Sequence, residues 1–527
     1  MAKNNLLKGT FILTIAGLVT RILGFFYKIY LSRVLTTETL GIYQLIFPVY
    51  GLCFTLYASG IQTALSTLVA AHYGQKSRSV NEKEQGRQKK TPVKDILQIG
   101  FLSSLSIALL CSNIVYCFSD FIACHLIHET ACKESLEILA YVFPFCSITS
   151  CINGYYYGRK KAAVPAVTQL LEQMARILFV CIVAVFWGKN NIALTCEIAV
   201  WGIVAGEIVS CLFNVVSLIL SLYLEKKRTY APDNAGNSSF FLFRQLIKLA
   251  APLTANRFFI NLLHSIEAVL IPYMLKCYGL SNEGALSMYG ILTGMSMAFI
   301  LFPSTLTNSL SVLLLPSVSE AKSKNDYQYI QSTTETSIKY TLLIGVFSTG
   351  IFLIYGSYMG EVFFHSRLAG DFLMILSWLC PFLYLTTTFG SVINGLGSTY
   401  TTFFNSTVGL GIRIAFICLL IPKIGIKGYF VGMLASQLIT TFLDYYALQK
   451  EIKFHMNAVK WICIPFLFVY ILGKAGGRIY HFMLPQISFS PVYLLFLVCC
   501  GILLLYLVLL KCFGIISVKE FSYRAKK

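Results

Sequence analysis

Fourteen apolar runs divide this chain, near residues 10–34, 42–70, 96–118, 135–157, 163–187, 197–223, 247–275, 285–315, 337–359, 369–393, 400–421, 428–449, 459–474 and 489–512. A continuous apolar stretch of about 20 residues is what a helix needs to cross a bilayer. Hydrocarbon cannot hydrogen-bond an open backbone, so only helices and closed barrels span it. A barrel strand would read as about 10 alternating residues, and these runs do not alternate. Charged residues make up 12% of the chain, against about 25% in soluble domains. The expected fold is therefore an all-α polytopic membrane protein with about fourteen transmembrane helices. A semi-polar stretch separates the third run from the fourth and keeps the count even.

The formal charge is +19, which in a soluble protein would suggest nucleic acid. Here the cations mark topology instead. With the N-terminus inside, the inner segments hold 28 of the 42 Lys and Arg residues, the outer segments hold 9, and 5 lie within spans. That is the bias of the positive-inside rule. It points to a multi-pass membrane protein with both termini cytoplasmic, and to no nucleic-acid partner. The basic inner segments are "GQKSRSVNEKEQGRQKKTPVK" (Gly74 to Lys94), "GRKK" (Gly158 to Lys161), "EKKR" (Glu225 to Arg228) and the tail "SYRAKK". No small-residue cleavage site follows the first run and Arg21 interrupts it, so the run is expected to be a retained helix. Seventeen cysteines are scattered through apolar runs as small hydrophobes, without a disulfide framework. "CHLIHETAC" (Cys124 to Cys132) reads as an exposed loop; its spacing matches no zinc pattern, and no metal is expected.

The chain also repeats itself. "PFCSITSCINGYYYG" (Pro144 to Gly158) matches "PFLYLTTTFGSVINGLG" (Pro381 to Gly397), and each precedes a span with an internal arginine, Arg176 or Arg413. "WGIVAGEIVS" (Trp201 to Ser210) and "KGYFVGMLAS" (Lys427 to Ser436) share Gly-x3-Gly-x3-Ser. "VTR" ending at Arg21 and "ANR" ending at Arg257 are 236 residues apart. Spans one to six and seven to twelve are thus two copies. Each copy has an even number of spans, so the repeat is parallel, with a site expected between the halves. The organisation is an N-terminal lobe (1–224), a cytoplasmic linker (225–245), a C-terminal lobe (246–449), and two further spans with a tail (450–527).

The charges inside spans are the candidate site. Arg21 lies mid-span, where an arginine costs about 2.5–3.5 kcal/mol on the insertion scale. Lys28 follows about 10 Å along the same helix face, while Arg33 can snorkel to the interface. Thr14, Gly17 and Gly24 share that face, which suits a water-filled cavity or a helix contact. In the seventh span Arg257, Asn261, His264 and Glu267 form a second stripe. Either they meet a ligand, or Arg257 and Glu267 neutralise groups on neighbouring helices. Glu172 and Arg176 are four apart and can pair on their own helix. Glu207 sits in the Gly-x3-Gly helix. Arg413 has no local anion and is a further cavity candidate. Glu267 and Asp444 are candidates for Na⁺ or proton coupling; Asp444, near the inner end of its span, can also be simply solvated. Cations at membrane depth suit a pyrophosphate, since arginine presents paired donors to phosphate oxygens and lysine a point charge.

Two stretches, "TRILGFFYKIYLSRVLTTETLGIYQLIFPVYGL" and "INGYYYGRKKAAVPAVTQLLEQMARI", carry a family resemblance along nearly the whole chain. It resembles the stage V sporulation protein B group in the oligosaccharide flippase branch of the multidrug/oligosaccharidyl-lipid/polysaccharide exporter superfamily, and is similar to the MurJ-type lipid II flippases. The resemblance implies two six-helix lobes around a cationic cavity, alternating access, and an undecaprenyl-pyrophosphate-linked saccharide as cargo, with a link to spore cortex peptidoglycan. By position it implies Arg21 and Lys28 as one set of cargo contacts and Arg257 as another; Lys28 departs from the arginine of those relatives. In those relatives spans thirteen and fourteen form a groove for the lipid tail. The expected partners are a lipid-linked saccharide and membrane lipid, the expected state is a monomeric transporter, and no cofactor is expected beyond a coupling ion. Competing readings are a drug/cation antiporter of the same superfamily, which would want more carboxylates, a cell-envelope membrane enzyme, for which the longest loop lacks an acid/base set, and a scaffold without transport.

Overall fold

The computed structural model describes residues 2–78, 93–188, 194–228, 239–486 and 491–516. The central part of the basic Gly74 to Lys94 segment, residues 229–238 of the linker and the "SYRAKK" tail lie outside the described residues. Every regular element among the described residues is helical.

All fourteen runs are helical at membrane-crossing length. Thirteen are single stretches: span 1 Leu13–Val34, span 2 Thr37–Tyr73, span 3 Val93–Cys117, span 5 Ala163–Phe186, span 6 Cys196–Leu224, span 7 Phe240–Cys277, span 8 Asn282–Leu301, span 9 Tyr327–Phe364, span 10 Arg367–Gly395, span 11 Thr399–Ile424, span 12 Ile426–Glu451, span 13 Val459–Met483 and span 14 Pro491–Cys512. Span 4 is a pair, Thr130–Ala140 and Val142–Gly158, bent by 46°. Spans 2, 7 and 9 are helical well past their apolar runs, because hydropathy marks the lipid-facing length and not where the hydrogen-bond ladder stops. The eighth run is shorter than its sequence suggests. Residues 285–315 read as one span, but the helix ends at Leu301 and a second one, Ser304–Ser323, begins after Pro303. Proline removes an N–H and its ring collides with the preceding turn.

By its contacts the chain forms two units, Met1–Tyr27 with Val34–Gly290, and Lys28–Arg33 with Ile291–Lys527. In the first unit, span 6 lies on span 5 through its glycines. A Cβ on Gly206 would sit 2.8 Å from the Glu172 carbonyl oxygen, and one on Gly202 would sit 2.6 Å from Val180. Span 4 lies on span 2, where a Cβ on Gly154 would sit 2.8 Å from the Gln62 carbonyl oxygen. Leu65, Val69, Leu97, Tyr155 and Leu246 fill the core around that seam.

The second unit uses the matching residues in the same way. Gly428 and Gly432 of span 12 lie against Leu420 and Phe416 of span 11, and Gly395 of span 10 lies against Leu315 and Val318. Val318, Ile338, Phe389, Leu448 and Phe454 form its core. Both copies also carry a π-helical turn in their second span. Thr55–Ser59 lies in span 2 and Ile291–Ser296 in span 8, with first residues 236 apart, the offset that separates Arg21 from Arg257. Such turns insert an extra residue into a helix and recur at functional sites.

Candidate functional site

Among the described residues, span 1 presents its cations without an acidic partner. Arg21 is exposed, Lys28 is half-buried, and neither makes an ion pair or a hydrogen bond among the described residues. The glycines on their face are not packing glycines. A Cβ on Gly17 would meet nothing within 4 Å, and one on Gly24 only the Gln173 amide at 3.7 Å. Of the two readings of that face, an open surface fits this geometry and a tight helix contact does not. Arg33 does more than snorkel. Its Nε donates to the Phe363 carbonyl at 2.9 Å and its Nη2 to the Val362 carbonyl at 3.0 Å, capping the end of the span 9 helix. The last carbonyls of a helix lack intrahelical donors and carry partial negative charge, so a guanidinium belongs there.

The stripe on span 7 divides. Arg257 Nη1 donates to the carbonyl and the hydroxyl of Ser59, the last residue of the π turn in span 2. Asn261 Nδ2 reaches Thr55 Oγ1 at 3.4 Å and the Gly51 carbonyl at 3.5 Å. One turn further, Ser265 Oγ donates to the Asn261 carbonyl at 2.8 Å and the Pro48 carbonyl at 3.3 Å. Arg257, Asn261 and Ser265 thus line a seam with span 2. His264 and Glu267 point elsewhere: His264 is exposed, Glu267 is buried, and His264 Nδ1 lies 3.4 Å from Glu267 Oε2. Arg257 therefore rests on a carbonyl and a hydroxyl, not on a neighbouring acid. A guanidinium has five N–H donors. Ser59 engages one terminal nitrogen, and the residue as a whole is exposed.

The remaining charges are placed more locally. Arg176 pairs with Glu172 at 2.6 Å, four residues back on its own helix. Gly409 stands one turn before Arg413, where Glu172 stands before Arg176, and Arg413 Nε donates to Ser436 Oγ at 3.3 Å. Glu207 is buried, with Ser210 Oγ 3.5 Å from its carboxylate. Asp444 corrects the expectation of a solvated side chain. It is 1% exposed and accepts a hydrogen bond from Asn405 Nδ2 at 2.8 Å. It lies inward on span 12, in line with Gln437 and Thr441, and periodicity alone did not separate that face from the lipid face. Sequence reasoning also missed Ser59, since nothing in "TLYAS" announces a π turn. In the "CHLIHETAC" loop, Lys276 Nζ donates to the His128 carbonyl at 3.0 Å, and the His128 ring lies 4.7 Å from that of Tyr273. These contacts tie the loop to the end of span 7.

Comparison with known proteins now bears on this arrangement. The model of the polysaccharide biosynthesis protein family matches residues 6–322. The chain belongs to this family. It is 26% identical to stage V sporulation protein B of Bacillus subtilis (strain 168), over 92% of this chain and 91% of that one. It is 23% identical to the lipid II flippase MurJ of the same organism, over 78% of this chain and 76% of that one. Among solved structures, the lipid II flippase MurJ in an inward closed conformation superposes with a TM-score of 0.66 at 14% identity, covering 96% of this chain and 100% of that one. An inward-facing multidrug resistance MATE family transporter of the MOP superfamily gives 0.63 at 13% identity, covering 83% of this chain and 98% of that one. The fold is that of the superfamily, and the family member is a multi-pass membrane protein.

Proposed function

We propose that the protein is a flippase. It carries an undecaprenyl-pyrophosphate-linked saccharide from the inner to the outer leaflet of the bacterial cytoplasmic membrane by alternating access. It acts as a monomer with both termini cytoplasmic, and it makes or breaks no covalent bond in its cargo. The observation that carries this reading is span 1, where Arg21 and Lys28 stand on an open, glycine-lined face with no acidic partner among the described residues. A buried or membrane-embedded cation without a counter-ion is costly. A diphosphate supplies the missing charge, and its oxygens suit paired arginine donors and a lysine point charge. Arg257 is the second contact: Ser59 holds one of its terminal nitrogens, and the residue is exposed. The names of the relatives, one a lipid II flippase and one a stage V sporulation protein, support a peptidoglycan precursor of spore cortex synthesis as the cargo. The test is a titration of the purified protein with an undecaprenyl-pyrophosphate sugar. Arg21→Ala and Arg257→Ala together should weaken binding at least tenfold, the effect of about 1.4 kcal/mol. Unchanged affinity in the double variant contradicts the reading.

A further inference from the structure

Asp444 is an acid with no cationic partner among the described residues. It is 1% exposed, its partner Asn405 is 4% exposed, and the two are joined by the 2.8 Å bond from Asn405 Nδ2. The surrounding groups do not neutralise it. On span 11 the nearest cation in sequence is Arg413, held two turns away by Ser436 Oγ. On span 10 the facing polar groups are neutral: Thr386 bonds Gln437 at 2.6 Å and Thr441 at 3.1 Å, and the Tyr384 hydroxyl donates to the Ile300 carbonyl at 2.7 Å. On span 12 itself the titratable neighbours are Tyr445, which is half-buried, and Tyr446 and Lys450, which are exposed. An ionised carboxylate buried without a counter-ion is so costly that such a group takes up a proton or binds a cation instead.

The other copy shows that the seam needs no acid. In the register that aligns Gly202, Gly206 and Ser210 with Gly428, Gly432 and Ser436, Leu218 occupies the place of Asp444. There the fifth and sixth spans are joined by a neutral bond, Thr168 Oγ1 to Asn214 Oδ1 at 2.9 Å, and Thr168 is the counterpart of Asn405. A carboxylate at this point thus adds something that packing does not require.

We propose that the Asp444–Asn405 pair is a proton-binding site, occupied while spans 11 and 12 are packed as here and emptied when that seam opens to water. The geometry favours a proton over Na⁺. Asn405 directs its N–H at the carboxylate, whereas a sodium site would gather several oxygens, and the hydroxyls of Thr440 and Thr441 are turned to backbone carbonyls at 2.9 Å and 2.7 Å. Combined with the proposed flippase cycle, on which this last step alone rests, the site lets a proton gradient bias the conformational change.

Infrared difference spectroscopy of the cargo-free protein in liposomes tests the site without any transport. In the difference between spectra taken at pH 5 and pH 8 the wild type should show a protonated-carboxyl C=O band that disappears in Asp444→Asn and shifts in Asn405→Ala. Asn resembles the neutral acid in shape, so Asp444→Asn should keep the wild-type melting temperature. Should it fail to fold, the band shift in Asn405→Ala still decides. A spectrum unchanged in both variants overturns the proposal. So does stabilisation of the wild type, but not of Asp444→Asn, by NaCl over choline chloride, which would make this a sodium site. Loss of flipping in the Arg21→Ala, Arg257→Ala variant with the band intact would concern cargo and leave the site standing.

Discussion

Within the first unit, the crossing of span 2 with span 8 is closer than any side chain allows. A Cβ on Gly41 would lie 2.2 Å from the Leu286 carbonyl oxygen and 2.9 Å from its carbon, and one on Gly290 would lie 2.3 Å from the Thr37 carbonyl oxygen. Ordinary contact begins near 3.4 Å, so Gly41→Ala must push the helices apart by about 1.2 Å or distort them, at roughly 1–3 kcal/mol. Separation also strains the 3.1 Å bond from Thr37 Oγ1 to Ser287 Oγ, and bonds between membrane helices contribute about 0.6 kcal/mol on average. Against this, alanine is a better helix former than glycine by about 1 kcal/mol. The control is Gly411→Ala, at a glycine with nothing within 4 Å, which should receive that gain and no penalty. The assay is thermal unfolding of the purified variants, with the disulfide-forming rate of a Thr37→Cys, Ser287→Cys pair in a background cleared of native cysteines. Gly41→Ala should melt below Gly411→Ala and cross-link more slowly, roughly 5- to 150-fold for a closed crossing disfavoured by 1–3 kcal/mol. Gly290→Ala should do the same, and the double variant should cost less than the sum, since one separation relieves both clashes. A Gly41→Ala protein as stable as Gly411→Ala, with cross-linking unchanged, would refute the reasoning.

Two further outcomes follow from packing. Arg33→Ala removes both donors from the end of span 9 and should cost about 1 kcal/mol, below the usual range for charge-assisted bonds because the side chain is exposed; Arg33→Lys should recover part of it, read as melting temperature. Gly206→Ala and Gly432→Ala sit at matching points of the two copies and should each destabilise by about 1–3 kcal/mol; a loss in one and none in the other would mean that the copies are not packed alike.

Much of the fold was legible because lipid imposes one rule, satisfaction of every backbone group within the helix, and that rule writes itself as long apolar runs. The repeat was legible for a related reason. Gly-x3-Gly-x3-Ser and the Ile-Asn-Gly motif recur because helices approach to backbone contact there, and no other residue fits. The break at Pro303 was lost inside an apolar run, since hydropathy is blind to where a ladder is interrupted. At the candidate site, Glu172 with Arg176 could be read from spacing alone, being a contact within one helix. Arg257 with Ser59, Arg33 with span 9, and Asp444 with Asn405 are contacts between helices, and one sequence does not record which faces meet.

The central claim is that fixed cations on spans 1 and 7 receive a diphosphate and carry it across the bilayer. Liposomes holding the purified protein and a headgroup-labelled undecaprenyl-pyrophosphate sugar, with the label quenched from outside, measure that movement directly. The account predicts protein-dependent exposure of the label that falls at least tenfold in the Arg21→Ala, Arg257→Ala variant and is partly restored by Arg21→Lys, Arg257→Lys. Equal rates in the wild type and the alanine variant, or label movement no faster than in empty liposomes, would contradict it.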